Sequence, residues 1–222
     1  MTAPILVLHD VGDAGGGAPW RAALEEAGWP GPVIAPDLPG HAGAPPPVGG
    51  DYELAAAALD VLPLVPPEGE RPVVLGVGVH GWAASIIALG GRASALVLVD
   101  GLGRPWLDAR ERMAETRRWL RAVAADEDAI VPPPPGADLD PRLRHGMPPH
   151  GSRRLAERAA RAMPVPTLLI ETADDGAADE LAPLFKSGAT VARVPDRTPT
   201  LVAGTVCRAM TRGSVPGMSE GA

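Results

Sequence analysis

The chain has 222 residues, 45% of them hydrophobic, and a formal net charge of −7 at pH 7. That length buries the core of one α/β domain, and the acidic balance argues against a nucleic-acid backbone or an anionic membrane as the main partner. Cys207 is the single cysteine, so an internal disulfide and a Cys-rich zinc site are both excluded.

Apolar runs and helical patterns alternate along the whole chain. Ile5–Leu8 reads as a buried strand, followed by the Gly-rich stretch Gly12–Gly17 and a helix around Trp20–Ala27. Val33–Ala35 is a second strand that runs into Pro36-Asp37-Leu38-Pro39-Gly40-His41. Asp51–Leu62 carries amphipathic spacing, with Asp51 as its expected N-cap. Val73–Leu75 is a strand that enters a tight Gly-rich turn and a helix reaching about Leu89, and Ala95–Val99 is a wholly apolar strand ending at Asp100. Pro166–Ile170 and Thr190–Val194 are the last two strands, with helices near Ala178–Phe185 and Thr200–Met210. Strands that are apolar throughout belong in a parallel sheet covered on both faces, and repeated strand–helix units predict a doubly wound, mostly parallel α/β fold.

Residues 103–163 interrupt this rhythm. Leu107–Ala125 and Ser152–Met163 read as two Arg-rich helices around Pro132-Pro-Pro-Pro135. Between two core strands such an insertion is either a lid over the carboxyl edge of the sheet or a solvated excursion. Its arginines either face water or meet the acidic residues of a second subunit. One domain over residues 1–212 is expected, with a frayed tail at 213–222. No apolar run approaches the roughly 18 residues of a membrane span, and the N-terminus enters a strand with no basic leader, so a cytoplasmic protein is expected. The Gly12–Gly17 loop matches neither the P-loop nor the dinucleotide spacing, and no cofactor is expected. His145 and His150 flank a Pro-Pro step without helical partners, which gives a metal site little support.

Taken in order, Leu8-His9-Asp10, Pro36–His41, Val77-Gly78-Val79-His80-Gly81, Leu96–Asp100, Pro166–Ile170 and Val194-Pro195 resemble the motifs of α/β-hydrolase fold proteins of the cap-poor, esterase or thioesterase-like kind. The resemblance runs from Ile5 to about Met210. It implies an elbow between strand and helix that presents a nucleophile, an acid after the strand ending at Ile170, and a histidine base after Val194-Pro195. In this chain those positions hold Val79, Asp175 and Arg197. Valine has no lone pair to attack with, and arginine, which stays protonated at any physiological pH, cannot act as a general base. Sliding the elbow by one residue brings Gly78 or His80 to the apex and still no serine. Ser85 falls inside the following helix and reads as a packing residue. Asp175 reads equally as a cap for the next helix, or as the partner of Arg197 in a salt bridge that closes the site.

The family's His-Gly is here His9-Asp10, a carboxylate where an oxyanion would develop, or else a turn-capping residue of the glycine loop. His80, just past the apex, reads either as a packed histidine beside Trp82 or as an acid–base group working with Asp10. The expected pocket has Val79 and His80 as floor, Asp10, Val11 and Asp37 as walls, and Asp175 and Arg197 opposite. Three readings follow. The first is a small-molecule binding protein with no triad chemistry, its ligand anionic if Arg197 receives it, or the partner of another protein or of its own copy. The second is a cofactor-free lyase- or isomerase-type enzyme using His80. The third is a weak esterase-like hydrolase.

Overall fold

A computed structural model describes residues 3–47, 52–65, 70–102, 108–125, 138–143, 145, 152–172 and 176–211. Six parallel strands form one sheet: β1 (Ile5–Leu8), β2 (Val33–Ile34), β3 (Val73–Val77), β4 (Ala95–Val99), β5 (Thr167–Glu171) and β6 (Ala189–Arg193). Their spatial order is β2-β1-β3-β4-β5-β6. The chain therefore starts next to one edge, steps outward to β2, and returns past β1 to build the rest. The carboxyl ends of β1 and β3 lie side by side at this reversal, where ligands of open α/β sheets gather.

β1, β3, β4 and β5 are buried at every position because both faces are covered. Alternate side chains divide between two cores, as the period of two in a strand requires. Ile5, Val7, Leu75, Val77, Val97 and Val99 join Trp20, Leu24, Val202 and Val206 on one face. The helices there are α1 (Ala18–Glu26) and α7 (Pro199–Thr211). Leu6, Leu8, Val74, Leu96 and Leu98 join Ala58, Ala84, Ile87, Ala156 and Ala160 on the other. That face carries α2 (Leu54–Val61), α3 (Gly81–Leu89), α5 (Arg153–Ala162) and α6 (Ala177–Leu181).

Most boundaries agree with the sequence reading to within two residues. β3 runs two residues further than expected, to Val77, because it stays paired with β4 through Val99. α2 begins at Leu54, with Glu53 at its cap position and no side-chain cap bond; Asp51, the expected cap, lies outside the described residues, as do Pro132–Pro135, His150 and the tail from 212.

The insertion divides into parts with different roles. Helix α4 (Ala109–Ala125) buries none of its residues, and Met113 and Leu120 are more than half exposed. α5 instead packs Ala156, Ala159 and Ala160 into the core, and Ser152 caps it by accepting the Leu155 N–H at 3.2 Å. Between them, residues 138–143 dock on the loop after β2. Ala42 N–H donates to the Asp138 carbonyl at 2.6 Å, and Asp140 N–H to that of Gly40 at 2.7 Å. Among the arginines of α4 and α5, Arg118 pairs with Glu115, Arg161 with Glu157, and Arg153 with both Glu157 and Glu180 of α6.

Candidate functional site

The turn after β3 is a single 3-10 turn, Gly78–His80, that leads directly into α3. Its left-handed residue is Gly78, at φ +55°, so the chain reverses one residue earlier than the Val79 apex read from the sequence. The reason is steric. A Cβ at Gly78 would overlap the Asp10 carboxyl group, meeting its Cγ at 2.6 Å, and glycine alone adopts such a φ without penalty. Gly76 is needed just before it, since a Cβ there would reach the His80 carbonyl and the Ala84 Cβ at 2.7 Å. Val79 is half-buried on the turn. Ser85 is inside α3, where its hydroxyl donates to the Gly81 carbonyl at 2.7 Å.

The carboxylate of Asp10 thus fills the space that a side chain at the elbow apex would take. It comes from the end of β1, and Oδ1 accepts the Val11 N–H at 2.9 Å. The Val79 N–H adds a lesser hydrogen-bonding pull. One amide from the β1 loop and one from the residue after the apex are the two donors that an oxyanion would need at such an elbow. Here a resident carboxylate is hydrogen-bonded to the first of them and lies close to the second. Arg197 completes the arrangement, its Nη1 donating to Asp10 Oδ2 at 2.5 Å. Burial raises the Asp10 pKa, and the Arg197 guanidinium and the Val11 N–H oppose that rise.

Arg197 also lies 3.7 Å from Asp100 Oδ2 through its Nε. Asp100 follows β4 directly in a left-handed conformation, φ +49°, that is uncommon for a residue with a side chain. Its two oxygens accept the Thr172 N–H at 2.9 Å and the Thr172 hydroxyl at 2.6 Å. Arg197 therefore bridges two carboxylates that follow β1 and β4, the strands on either side of β3. Asp175, its expected partner, lies outside the described residues. The sequence reading missed Asp100 as a site residue; an acid closing an apolar strand at the carboxyl edge of a parallel sheet was the signal.

Asp37, read as a pocket wall, anchors the glycine loop by accepting the Gly17 N–H at 2.9 Å. Three buried histidines cluster around His9, whose ring centroid lies 4.8 Å from that of His41 and 6.4 Å from that of His80. His9 donates from Nδ1 to the Asp10 carbonyl at 3.0 Å and accepts the Leu38 N–H on Nε2 at 3.1 Å. His41 accepts the Gly12 N–H on Nε2 at 3.1 Å and donates from Nδ1 to the Pro39 carbonyl at 3.0 Å. His80 donates from Nδ1 to the His9 carbonyl at 2.5 Å. These partners set each ring as the neutral Nδ1–H tautomer. Burial lowers the pKa of all three, to about 4 for His9 and for His80.

A shallow cleft, open to solvent, lies beside His80 and is also lined by Val11, Leu38, His41, Tyr52 and Leu143. Of the expected pocket, Val11 and His80 line it, whereas Asp10, Asp37, Val79 and Arg197 do not. The docked segment closes one side: the Tyr52 hydroxyl donates to Asp140 Oδ2 at 2.5 Å, and Arg142 Nη2 binds the same oxygen at 2.5 Å. Burial alone would raise the Asp140 pKa, but the bonds from Arg142 and Tyr52 hold it below its usual value. Among the described residues no group of three His, Cys, Asp or Glu is arranged to hold a metal ion, and no helix is long and apolar enough to cross a membrane.

Sheet order, elbow and site geometry together define an α/β-hydrolase-like protein. The model of the Alpha/beta hydrolase family matches residues 5–206, and the chain belongs to that family. Among solved structures it is similar to a hypothetical protein of Pseudomonas aeruginosa PAO1, at 20% identity and TM-score 0.68, with 95% of this chain and 92% of that one covered. It is also similar to a hydrolase from Pseudomonas aeruginosa PA01, at 22% identity and TM-score 0.62, covering 96% of this chain and 89% of the other. An α/β hydrolase from Sphaerobacter thermophilus DSM 20745 aligns at 18% identity and TM-score 0.59, over 93% and 92% of the two chains. At these identities the likeness speaks for the fold. None of the curated proteins compared with the chain matches it.

Proposed function

We propose that this protein is a non-hydrolytic member of its family that binds a small molecule in the cleft beside His80. The observation that carries the reading is the Asp10 carboxylate lying over Gly78, with Arg197 paired to it. An acyl-transfer elbow needs a nucleophile, a base and free oxyanion donors. Here the apex has no side chain, the base position is a permanent cation, and a fixed anion lies beside the donors. An approaching ester carbonyl would meet negative charge where its own would develop. Arg197 is engaged by two carboxylates, so it gives little support to an anionic ligand at that point.

The test is turnover of p-nitrophenyl acetate by the wild-type protein and by a Gly78→Ser, Asp10→Gly, Arg197→His triple variant. Wild type stays at the solvent background, and the variant, with the blocking carboxylate gone, gains measurable ester cleavage. Wild-type turnover clearly above background would overturn the proposal. A second reading, a cofactor-free acid–base enzyme, is favoured by one observation: His80 lines the cleft as a neutral imidazole with a fixed tautomer.

A further inference from the structure

Single apolar side chains on a surface are ordinary, but four of the eight large ones that stand exposed among the described residues fall on one pair of neighbouring helices. Leu59 of α2 is 64% exposed and Leu64, in the short turn that follows α2, 44%; Ile86 and Leu89 of α3 are 43% and 40% exposed. α2 leads from the carboxyl end of β2 to the amino end of β3, and α3 leads from β3 to β4 in the same way. The two helices therefore run parallel and pack along each other, with their last turns at the amino edge of the sheet. Ile86 and Leu89, three residues apart, share a face of α3. With Leu59 and Leu64 they form an open apolar patch, at the far end of α3 from the turn Gly78–His80.

α3 is the central helix of its layer, flanked by α2 and α5, and seven of its nine residues are buried. Two large aliphatic side chains left open on such a helix, continuous with two more on its neighbour, mark a surface that another protein covers. The charges around the patch say which. α2 carries acids only, Glu53 at its cap position and Asp60 beside Leu59, and α3 carries no charge until Arg92, three residues beyond Leu89. Neither Asp60 nor Arg92 has an ion-pair partner among the described residues.

A two-fold interface must be complementary to itself. An unpaired acid on one helix and an unpaired base at the end of the other meet that condition when α2 of one copy faces α3 of the next, whereas α2 on α2 would oppose like charges. The chain as a whole carries −7, so two copies repel over most of their surface and least where the local charges cancel. We infer that the chain forms a two-fold dimer through this face. α2 of each copy lies on α3 of the other, the four apolar side chains fill the centre, and Asp60 stands opposite the partner's Arg92 on either side. Two short helix faces are at the small end of protein interfaces, so the dimer is weak, with a Kd of about tens of micromolar.

Sedimentation velocity of the full chain from about 5 to 500 µM tests this. Wild type passes from monomer to dimer across the range and stops at the dimer, as a closed two-fold requires. Leu59→Glu, at an exposed position, keeps the wild-type melting temperature and raises the Kd about tenfold or more. Leu120→Glu, at a comparably exposed leucine on α4, leaves association unchanged. Asp60→Arg and Arg92→Asp each weaken the dimer about threefold to tenfold, because each sets like charges together twice. Combined in one chain they restore the Kd to within about twofold of wild type.

A chain that stays monomeric at the highest concentration overturns the inference, whether or not the face takes some other protein. A mass that keeps rising past the dimer overturns it too, as does a dimer that Leu59→Glu leaves as tight as Leu120→Glu does. A doubly exchanged variant as weak as the single ones overturns the placing of α2 on α3. Ester turnover, which depends on the elbow at the other end of α3, reads separately from all of these.

Discussion

Gly78 and Asp10 occupy one volume between them, so neither is an independent choice. A Cβ at Gly78 faces two costs: the left-handed φ and overlap with the carboxyl group of Asp10. The first is about 1–2 kcal/mol for a residue with a side chain. Overlap adds a further amount, on the order of 1–3 kcal/mol for an overpacked site. Gly78→Ala is therefore expected to destabilise the fold by about 2–5 kcal/mol in urea unfolding. In an Asp10→Gly background the same substitution should cost only the conformational part. A cycle of the two changes that proves additive would show that the carboxylate and the glycine do not share space.

At the scale of elements, the two charged helices of the insertion look alike in sequence and behave differently in the fold. α5 places a row of alanines, 156, 159 and 160, against the sheet-side core, and their small size sets how closely it approaches α3. α4 has no buried residue and holds its own charges in local pairs. Ala160→Leu is expected to lower stability by about 1–3 kcal/mol through overpacking, whereas Leu120→Glu on α4 should stay within about 0.5 kcal/mol. Parallel thermal melts of the two variants decide this; a large loss from Leu120→Glu would mean that α4 has a packing partner. Composition could not separate the helices, because an alanine-and-arginine pattern describes a packed face and a solvated one equally well. What separated them is which helix returns to the sheet next to β5.

For the whole molecule, the histidine cluster sets a pH limit. His9 and His80 titrate at about 4 in the fold, well below their ordinary value of 6.5, because burial penalises the charged ring. The unfolded chain therefore takes up protons that the folded one refuses, and stability falls as pH drops from about 6.5 toward 4. Above that window the contribution is fully present. Each ring adds on the order of 3 kcal/mol across the range at most. Urea midpoints measured from pH 7.5 to pH 4.5 should fall steadily, and a His80→Gln, His9→Gln variant should show a flatter profile. A wild-type profile that is flat across this range would mean that the rings titrate in the fold as they do in the unfolded chain, more open to water than their burial indicates.

Most of the fold and part of the site could be read from the residues alone. Continuous apolar runs such as Ala95–Val99 are unstable anywhere but between two covered faces, so a parallel sheet with helices on both sides follows from patterning and burial. The absence of serine at the elbow and of histidine after Val194-Pro195 is likewise a property of the sequence, whichever residue stands at the apex. Three-dimensional placement decided the rest. The apex fell on Gly78 because a carboxylate from β1, 68 positions earlier in the chain, takes the space above it. Arg197 turned to Asp10 and Asp100 because the carboxyl ends of β1, β4 and β5 converge there. His80 points its Nδ1 at the His9 carbonyl because the end of β1 passes directly beside the turn after β3. Periodicity and motif order report which face of an element is buried; which distant polar groups meet is set by how the strands are ordered across the sheet.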